Sequence, residues 1–324
     1  HPKGDKSTPM RRKSLPWWLV ALIDILVIGG YVLSFYLIYY LSPRQLQSSG
    51  IQISQSPAVQ AGQNDWSTKF ADHFSSTVVS EENRYQSEDI SISLQKVTIE
   101  GGKNKNVYYL ADIYISNIQC LQTGFAQNTF GVGYTQSVLE MDKALDAVLA
   151  VNGDYYGNGS HGVVIRNGEV YRNTTDASDV CVLYSDGVMK TYAAGEFSLE
   201  EAVENGAWQA WSFGPALLDS QGNPKTEFQT SLNVLGLNPR TAIGYYEPGH
   251  YCLLVADGRY EDDAQGMTLE EMSQLFFTLG CQSAYNLDGG QSSVMTFQDA
   301  VVNQPSGQGR DISDCVIIKE VSQG

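Results

Sequence analysis

Twenty-five consecutive residues, Trp17 to Leu41, form an apolar run broken by a single charge, Asp24, and that run commits the chain to two different solvents. As a helix it would reach about 37 Å, enough to cross a ~30 Å hydrocarbon core with some tilt. Lys3, Lys6, Arg11, Arg12 and Lys13 precede it and only Arg44 follows closely, so the positive-inside rule places the N-terminus in the cytoplasm. Trp17 and Trp18 at one end, with Tyr36, Tyr39 and Tyr40 at the other, suit the two membrane interfaces. A cleaved signal peptide fits less well, because the stretch is long and no Ala-x-Ala-like site follows it. Asp24 lies about two turns from the cytoplasmic end, where snorkelling and local water lower its cost. The expected organisation is a basic tail over residues 1–16, an anchor over 17–41, a Ser/Gln-rich flexible stalk over 42–64, and one extracytoplasmic domain over 65–324.

The outer part is acidic, with 15 basic against 34 acidic side chains after residue 41. Such a surface repels nucleic acid, and an anionic ligand would have to be held locally by a few placed arginines. The five cysteines, Cys120, Cys181, Cys252, Cys281 and Cys315, have no metal-ligand spacing and sit mostly in apolar runs, which reads as buried thiols. Four histidines without helical pairing argue against a zinc site, and no other cofactor is required.

Past the stalk, Trp66, Phe70 and Phe74 suggest a short amphipathic helix, and Ile90–Ile99 with Val107–Ile115 suggest a hairpin turning at Gly101-Gly102. Three helices carry the same start signal, a Ser or Thr followed three residues later by Glu: Ser137 with Glu140, Ser198 with Glu201, and Thr268 with Glu271. Each leads into an apolar strand, at Ala147–Val151, Ala207–Trp211 and Ala284–Leu287. The alternation predicts an α+β domain with a mixed β-sheet core flanked by helices.

Several strands run straight into polar, glycine-bearing turns: Asn152-Gly153-Asp154-Tyr155-Tyr156-Gly157, Asp257-Gly258-Arg259, and Asp288-Gly289-Gly290-Gln291-Ser292-Ser293. Gathered at one sheet edge, they would place carboxylates, hydroxyls and close-approaching backbone N–H groups around a ligand. Asn238-Pro239-Arg240-Thr241 adds a proline-braced arginine able to fork onto phosphate or carboxylate.

With these segments in hand, the chain resembles the phosphodiester glycosidases related to the uncovering enzyme, N-acetylglucosamine-1-phosphodiester α-N-acetylglucosaminidase. The resemblance rests on Val151-Asn-Gly-Asp-Tyr-Tyr, Phe213-Gly-Pro-Ala, Asn238-Pro-Arg-Thr-Ala-Ile-Gly, Val255-Ala-Asp-Gly-Arg, Gly266-Met-Thr-Leu-Glu-Glu and Leu287-Asp-Gly-Gly-Gln-Ser-Ser, in family order. Gln291 departs from the third glycine many relatives carry. The resemblance implies a membrane-anchored, bacterial-type hydrolase that cleaves a sugar-1-phosphodiester of a cell-surface or extracellular polysaccharide and leaves a phosphomonoester.

A phosphomonoester, with a second pKa near ~6, leaves more easily than an alkoxide, so arginines can do much of the work of a general acid. One carboxylate must still activate water or attack the anomeric carbon. Asp288 is the first candidate, with Asp154 or Asp257 as a second carboxylate. Arg240 is the first candidate for the phosphate, helped by Arg259, Arg310 and the Gly289, Gly290, Ser292 and Ser293 donors. Asn152, Gly153, Asn238 and Thr241 are expected to hold sugar hydroxyls or the diester. Tyr155 and Tyr156 fit sugar stacking or packing equally, and His161 reads as a solvent-facing loop residue. Asn158-Gly-Ser and Asn173-Thr-Thr match the glycosylation pattern. Two rival readings remain open: a non-catalytic module for anionic glycans, and a phosphodiesterase whose metal is held by Asp154, Asp257 and Asp288.

Overall fold

The computed structural model describes residues 15–54, 65–101, 104–174, 177–259 and 263–321. Lys3, Lys6, Arg11, Arg12 and Lys13, the later part of the expected stalk, Gly102 and Thr175 lie outside them. Two units are resolved. In the first, an α-helix over Trp17–Tyr36 continues through a wider turn at Leu37–Leu41, giving one helix long and apolar enough to cross a membrane.

The second unit begins at Arg44, earlier than expected. Arg44–Gln45 pair with Gly131–Val132, and Ile51–Gln52 pair with the edge strand Glu169–Thr174, so this part of the expected stalk is strand and not free linker. Its Ser and Gln content hid two short pairings that contribute few apolar side chains. The helix expected at Trp66 is instead turns ending in a single 3₁₀ turn at Ala71–His73, which still buries Trp66 and Phe70.

Three larger sheets, antiparallel among the described residues, build the domain beside the two-stranded pairing of Arg44–Gln45 with Gly131–Val132. The seven-stranded sheet runs Ser283–Asn286, Arg240–Glu247, His250–Ala256, Asn104–Ile115, Ile90–Gly101, Arg84–Gln86 and Val79–Glu81. Its long hairpin, expected from the sequence, keeps Gly101 in the strand, paired with Asn104, and the turn itself lies outside the described residues. The five-stranded sheet runs Ala300–Val301, Met295–Phe297, Leu149–Asn152, Asp314–Ile318 and Leu121–Phe125. The six-stranded sheet runs Met189–Tyr192, Val180–Tyr184, Ala207–Trp211, Gly162–Arg166, Glu169–Thr174 and Ile51–Gln52.

One face of each sheet points into a common core, which joins Ile113, Leu253 and Val255 to Leu149, Val151 and Val316 and to Cys181, Leu183 and Trp211. The outer face of each is covered by a helix. Leu269–Thr278 lays Met272 and Phe276 on Ala242 and Leu254, Val138–Ala144 lays Met141 on Ala150 and Ile317, and Leu199–Glu204 lays Ala202 on Val182 and Ala210. Burial on both faces is why these strands read as continuous apolar runs rather than alternating ones. Each covering helix also feeds the strand that follows it into the sheet it covers.

The start signals act as expected. At Ser137 and Thr268 the hydroxyl accepts the Glu N–H at 3.2 and 3.1 Å, and the Glu carboxylate accepts the cap N–H at 3.0 and 2.8 Å. Ser198 accepts the Glu201 N–H at 3.3 Å. All five cysteines are buried free thiols.

Asp142, on the buried side of Val138–Ala144, is fully enclosed, and burial with the nearby Asp299 pushes its carboxyl up from 3.8 to about 7. The folded state therefore binds this proton over a range where the unfolded chain has released it. Its contribution to stability is complete below about pH 4 and is lost as pH rises toward about 7. Asp142→Asn removes that loss, so thermal unfolding of the variant should be flatter than wild type between pH 4 and 7 and higher at pH 7.5; an unchanged profile would contradict this assignment.

Candidate active site

The glycine-bearing turns do gather, but at the meeting of two sheets rather than along one edge. Leu149–Asn152 belongs to the five-stranded sheet, while Arg240–Glu247, His250–Ala256 and Ser283–Asn286 belong to the seven-stranded one. Asn152, fully buried, joins them: its amide donates to the Asp288 carbonyl at 2.7 Å and its carbonyl oxygen accepts the Thr241 hydroxyl at 2.7 Å. The Asp288 N–H donates back to the Gly153 carbonyl at 3.2 Å. Asn152 and Thr241, expected to hold sugar hydroxyls, instead brace the turns against each other.

Behind this junction lies an ion cluster that sequence reading missed. Arg166, 1% exposed, is 2.9 Å from Asp154 and 2.7 Å from Asp314 through the same nitrogen, and its Nε donates to Asp314 at 2.9 Å. Its third nitrogen donates to the carbonyls of Ile165 and Ala210. The second Asp154 oxygen accepts the Ser212 N–H at 3.1 Å. Burial opposes the Arg166 charge, but the two aspartates hold its pKa above the ordinary value. Burial also pushes Asp314 up to about 7, with Arg166 pulling it down and Asp154 pushing it up. Asp154 thus joins the five- and six-stranded sheets, with each of its oxygens taken up by a protein donor. Any side chain at Gly153 would run into the Asp314 carboxylate, which explains the glycine between Asn152 and Asp154. The available signal was a charge at the end of each apolar strand, Gly162–Arg166 and Asp314–Ile318.

Asp288 is different. It is 6% exposed, with one oxygen 2.6 Å from Arg310 and the other accepting the Gly289 N–H at 2.9 Å. Burial raises its pKa, opposed by Ser292, Arg310 and the Gly289 N–H. Arg310 also donates from Nε to Ser292 at 2.6 Å, and its guanidinium lies 4.6 Å from the Tyr155 ring centre. Tyr155 sits in the left-handed region at φ 64° and presents its ring to Arg310, so its stacking partner here is a cation. Tyr156 is buried against Phe130 and takes the packing role.

Arg259 is exposed beside the same turn. It reaches Asn238 at 3.4 Å and packs on Gly290, whose φ of 68° and missing side chain leave room for it. Asn238 spends its amide on the carbonyls of Asn233 and Gly236, at 2.8 and 3.2 Å. Asp257 accepts the Asn303 amide at 2.9 Å and the Gln304 N–H at 3.0 Å, holding the segment that leads to Arg310.

Arg240 turns its guanidinium onto backbone carbonyls. It is 2% exposed and donates to the carbonyls of Met267 at 2.8 Å and of Val234 and Gly236 at 2.6 Å, while burial lowers its pKa to about 10. The fork expected for phosphate is used to hold a loop. Ser293 is buried too, and its hydroxyl finds no partner among the described residues.

Two cavities approach the Arg310–Tyr155 pair. One of about 410 Å³ is lined by Asp154, Tyr155, His161, Ser212, Phe213 and Ser231. The other, about 690 Å³, has Arg310 in its wall. Among the described residues no three His, Cys, Asp or Glu side chains are placed to hold a metal ion, because Asp154, Asp257 and Asp288 each face different partners.

The fold matches known proteins. Residues 146–319 match the family model described as phosphodiester glycosidase, and the chain belongs to that family. The catalytic domain of zebrafish N-acetylglucosamine-1-phosphodiester α-N-acetylglucosaminidase, solved auto-inhibited by its pro-peptide, has the same fold, with a TM-score of 0.59, 19% identity, and 76% of this chain and 88% of that one covered. A hypothetical protein from Synechocystis shares it at a TM-score of 0.54 and 14% identity, over 71% of this chain and 62% of that one. A SPbeta prophage-derived protein of Bacillus subtilis, YomE, is 32% identical over 197 residues, covering 58% of this chain and 30% of its own length.

Removing the buried cation leaves two enclosed carboxylates facing each other. Arg166→Met should therefore destabilise the domain by about 3–5 kcal/mol, read by urea unfolding of the full chain in lipid nanodiscs. A loss below about 1 kcal/mol, the range of an exposed pair, would contradict the clamp.

Proposed function

We propose that the protein hydrolyses the glycosidic bond of a sugar-1-phosphodiester, releasing the sugar and a phosphomonoester. The observation that carries this reading is Asp288, nearly buried on its glycine turn and paired with Arg310 beside an exposed second arginine, Arg259. Family membership supports the reaction class.

In this reading the sugar occupies the cavity beside Tyr155, His161 and Phe213, and its phosphate lies against Arg310 and Arg259. Asp288 takes a proton from water as the water oxygen bonds to the anomeric carbon. The bond from that carbon to the phosphate oxygen breaks, and its electron pair leaves on the phosphate, where the two guanidiniums stabilise it. The leaving group departs as an anion, so a second carboxylic acid is not demanded. This fits the geometry of Asp154 and Asp257, both held by other groups. Arg240, Asn152, Thr241 and Asn238 act indirectly by fixing the turns.

The finer assignments follow the same reading. The sugar is an N-acetylhexosamine of a cell-surface or extracellular phosphoglycan, the family relative from zebrafish being named for N-acetylglucosamine. The apolar helix anchors the domain on the outer side of the membrane, the basic flank facing the cytoplasm. A glycan-binding module would use the same arginines without turnover. A metal phosphodiesterase would need its three aspartates to converge.

Asp288→Asn preserves volume and removes the base. The full chain in nanodiscs, given a methyl diester of N-acetylglucosamine-1-phosphate, should release reducing sugar, and the variant should fall by about 10³-fold or more, within the range of general-base effects, while its unfolding temperature holds. Near-normal turnover in the variant would move the base elsewhere, and no turnover by wild type despite binding would favour the module.

The acid limb of kcat/KM should lie above the ordinary carboxylate range, because burial raises Asp288 and activity needs its ionised form. Arg310 pulls that pKa down, so Arg310→Gln should move the limb to still higher pH besides lowering the rate. A limb that stays in place would show that another group controls it.

A further inference from the structure

The larger cavity has no part in holding the sugar, yet it shares Arg310 with the site. Its wall sets aliphatic side chains, Val138 and Leu139 from the start of the Val138–Ala144 helix, Val294 just after the Asp288 turn, Val301 and Pro305, among the polar Ser137, Gln304, Gln308 and Asp311. Gly309 N–H donates to the Ser306 carbonyl at 3.1 Å and Arg310 N–H to the Gln291 carbonyl at 3.0 Å, so the segment ending in Arg310 folds onto the Asp288 turn and forms the floor. Asp257 holds the start of that segment through Gln304 and Asn303.

A phosphodiester has two arms, and a phosphate at Arg310 directs one of them away from the sugar. We propose that the 690 Å³ cavity is the subsite for this second arm, and that it selects an apolar, alkyl-chain alcohol esterified to the phosphate. The inference rests on the proposed reading of Asp288 and Arg310. Three observations carry it: continuity with the site through Arg310, a volume within the range of small-ligand pockets of roughly 300–1,000 Å³, and five aliphatic residues in the same lining as the cation. The ligand implied combines both chemistries, an anion at one end and a hydrocarbon beyond it. Leu139 and Val301 are specificity determinants in this account, since they are the less buried aliphatic groups of the wall.

Binding of methyl phosphate and n-butyl phosphate to the full chain in nanodiscs, by calorimetry, reads this subsite without requiring turnover. The alkyl groups are electronically alike, so a difference reports burial of the extra methylenes. The butyl ester should bind at least ten-fold tighter, and Leu139→Asp should bring the ratio close to one. A second variant, Val301→Asp, keeps the test decisive if Leu139→Asp fails to fold. Equal binding of the two esters by wild type, or a preference that survives both substitutions, would overturn the subsite. Preference for the butyl ester without hydrolysis of the corresponding sugar diesters would overturn the glycosidase reading and leave the subsite standing.

Discussion

A single buried cation, Arg166, holds the architecture that the site depends on. It reaches from the end of one strand to Asp154 on the turn after a second and to Asp314 at the start of a third, tying the six-stranded sheet to the five-stranded one. Two carboxylates around one guanidinium leave a net negative charge in an enclosed place. Burial and the neighbouring Asp154 raise the Asp314 carboxyl, against the pull of Arg166, in the direction that relieves this charge. Such a cluster costs desolvation and is poor at adding stability, but it fixes one geometry, and Gly153 is shaped to its presence. The turn that follows is the one that meets Asp288.

From that clamp the site is built outward in layers. Asn152 and Thr241 sew the two turns together, Arg240 anchors the loop through Gly236 and Met267, and Asp257 positions the segment that delivers Arg310. Only then come the groups with partial access to solvent: Asp288, Arg310, Arg259 and Tyr155. Most of the polar residues in the family motifs therefore hold other protein groups. The motifs encode a rigid frame as much as a reacting surface, as preorganised electrostatic catalysis requires.

This division sets how much the sequence could reveal. The three helices and the strands they feed were legible because capping signals and apolar periodicity are local, and the Ile90–Ile115 hairpin was legible for the same reason. The turns that gather between the sheets were legible because glycine turns after apolar strands are also local. The division of labour among them was not. Asn152, Arg240 and Asp154 look like ligand-binding residues in sequence, and only the three-dimensional meeting of two sheets reveals that their polar atoms are already engaged. Arg166 and Asp314 were invisible because their significance lies in being opposite each other, 148 residues apart. The pairing of residues 44–52 with the domain escaped notice because two-residue strands carry no periodicity.

In the proposed reaction the bond breaks at the sugar carbon, with the phosphate leaving on Arg310 and Arg259. Hydrolysis of a sugar-1-phosphodiester in ¹⁸O-labelled water tests it directly by mass spectrometry of both products. The account requires the label in the released sugar and none in the phosphomonoester. Label in the phosphate would mean attack at phosphorus, and the roles given to Asp288 and the two arginines would be wrong.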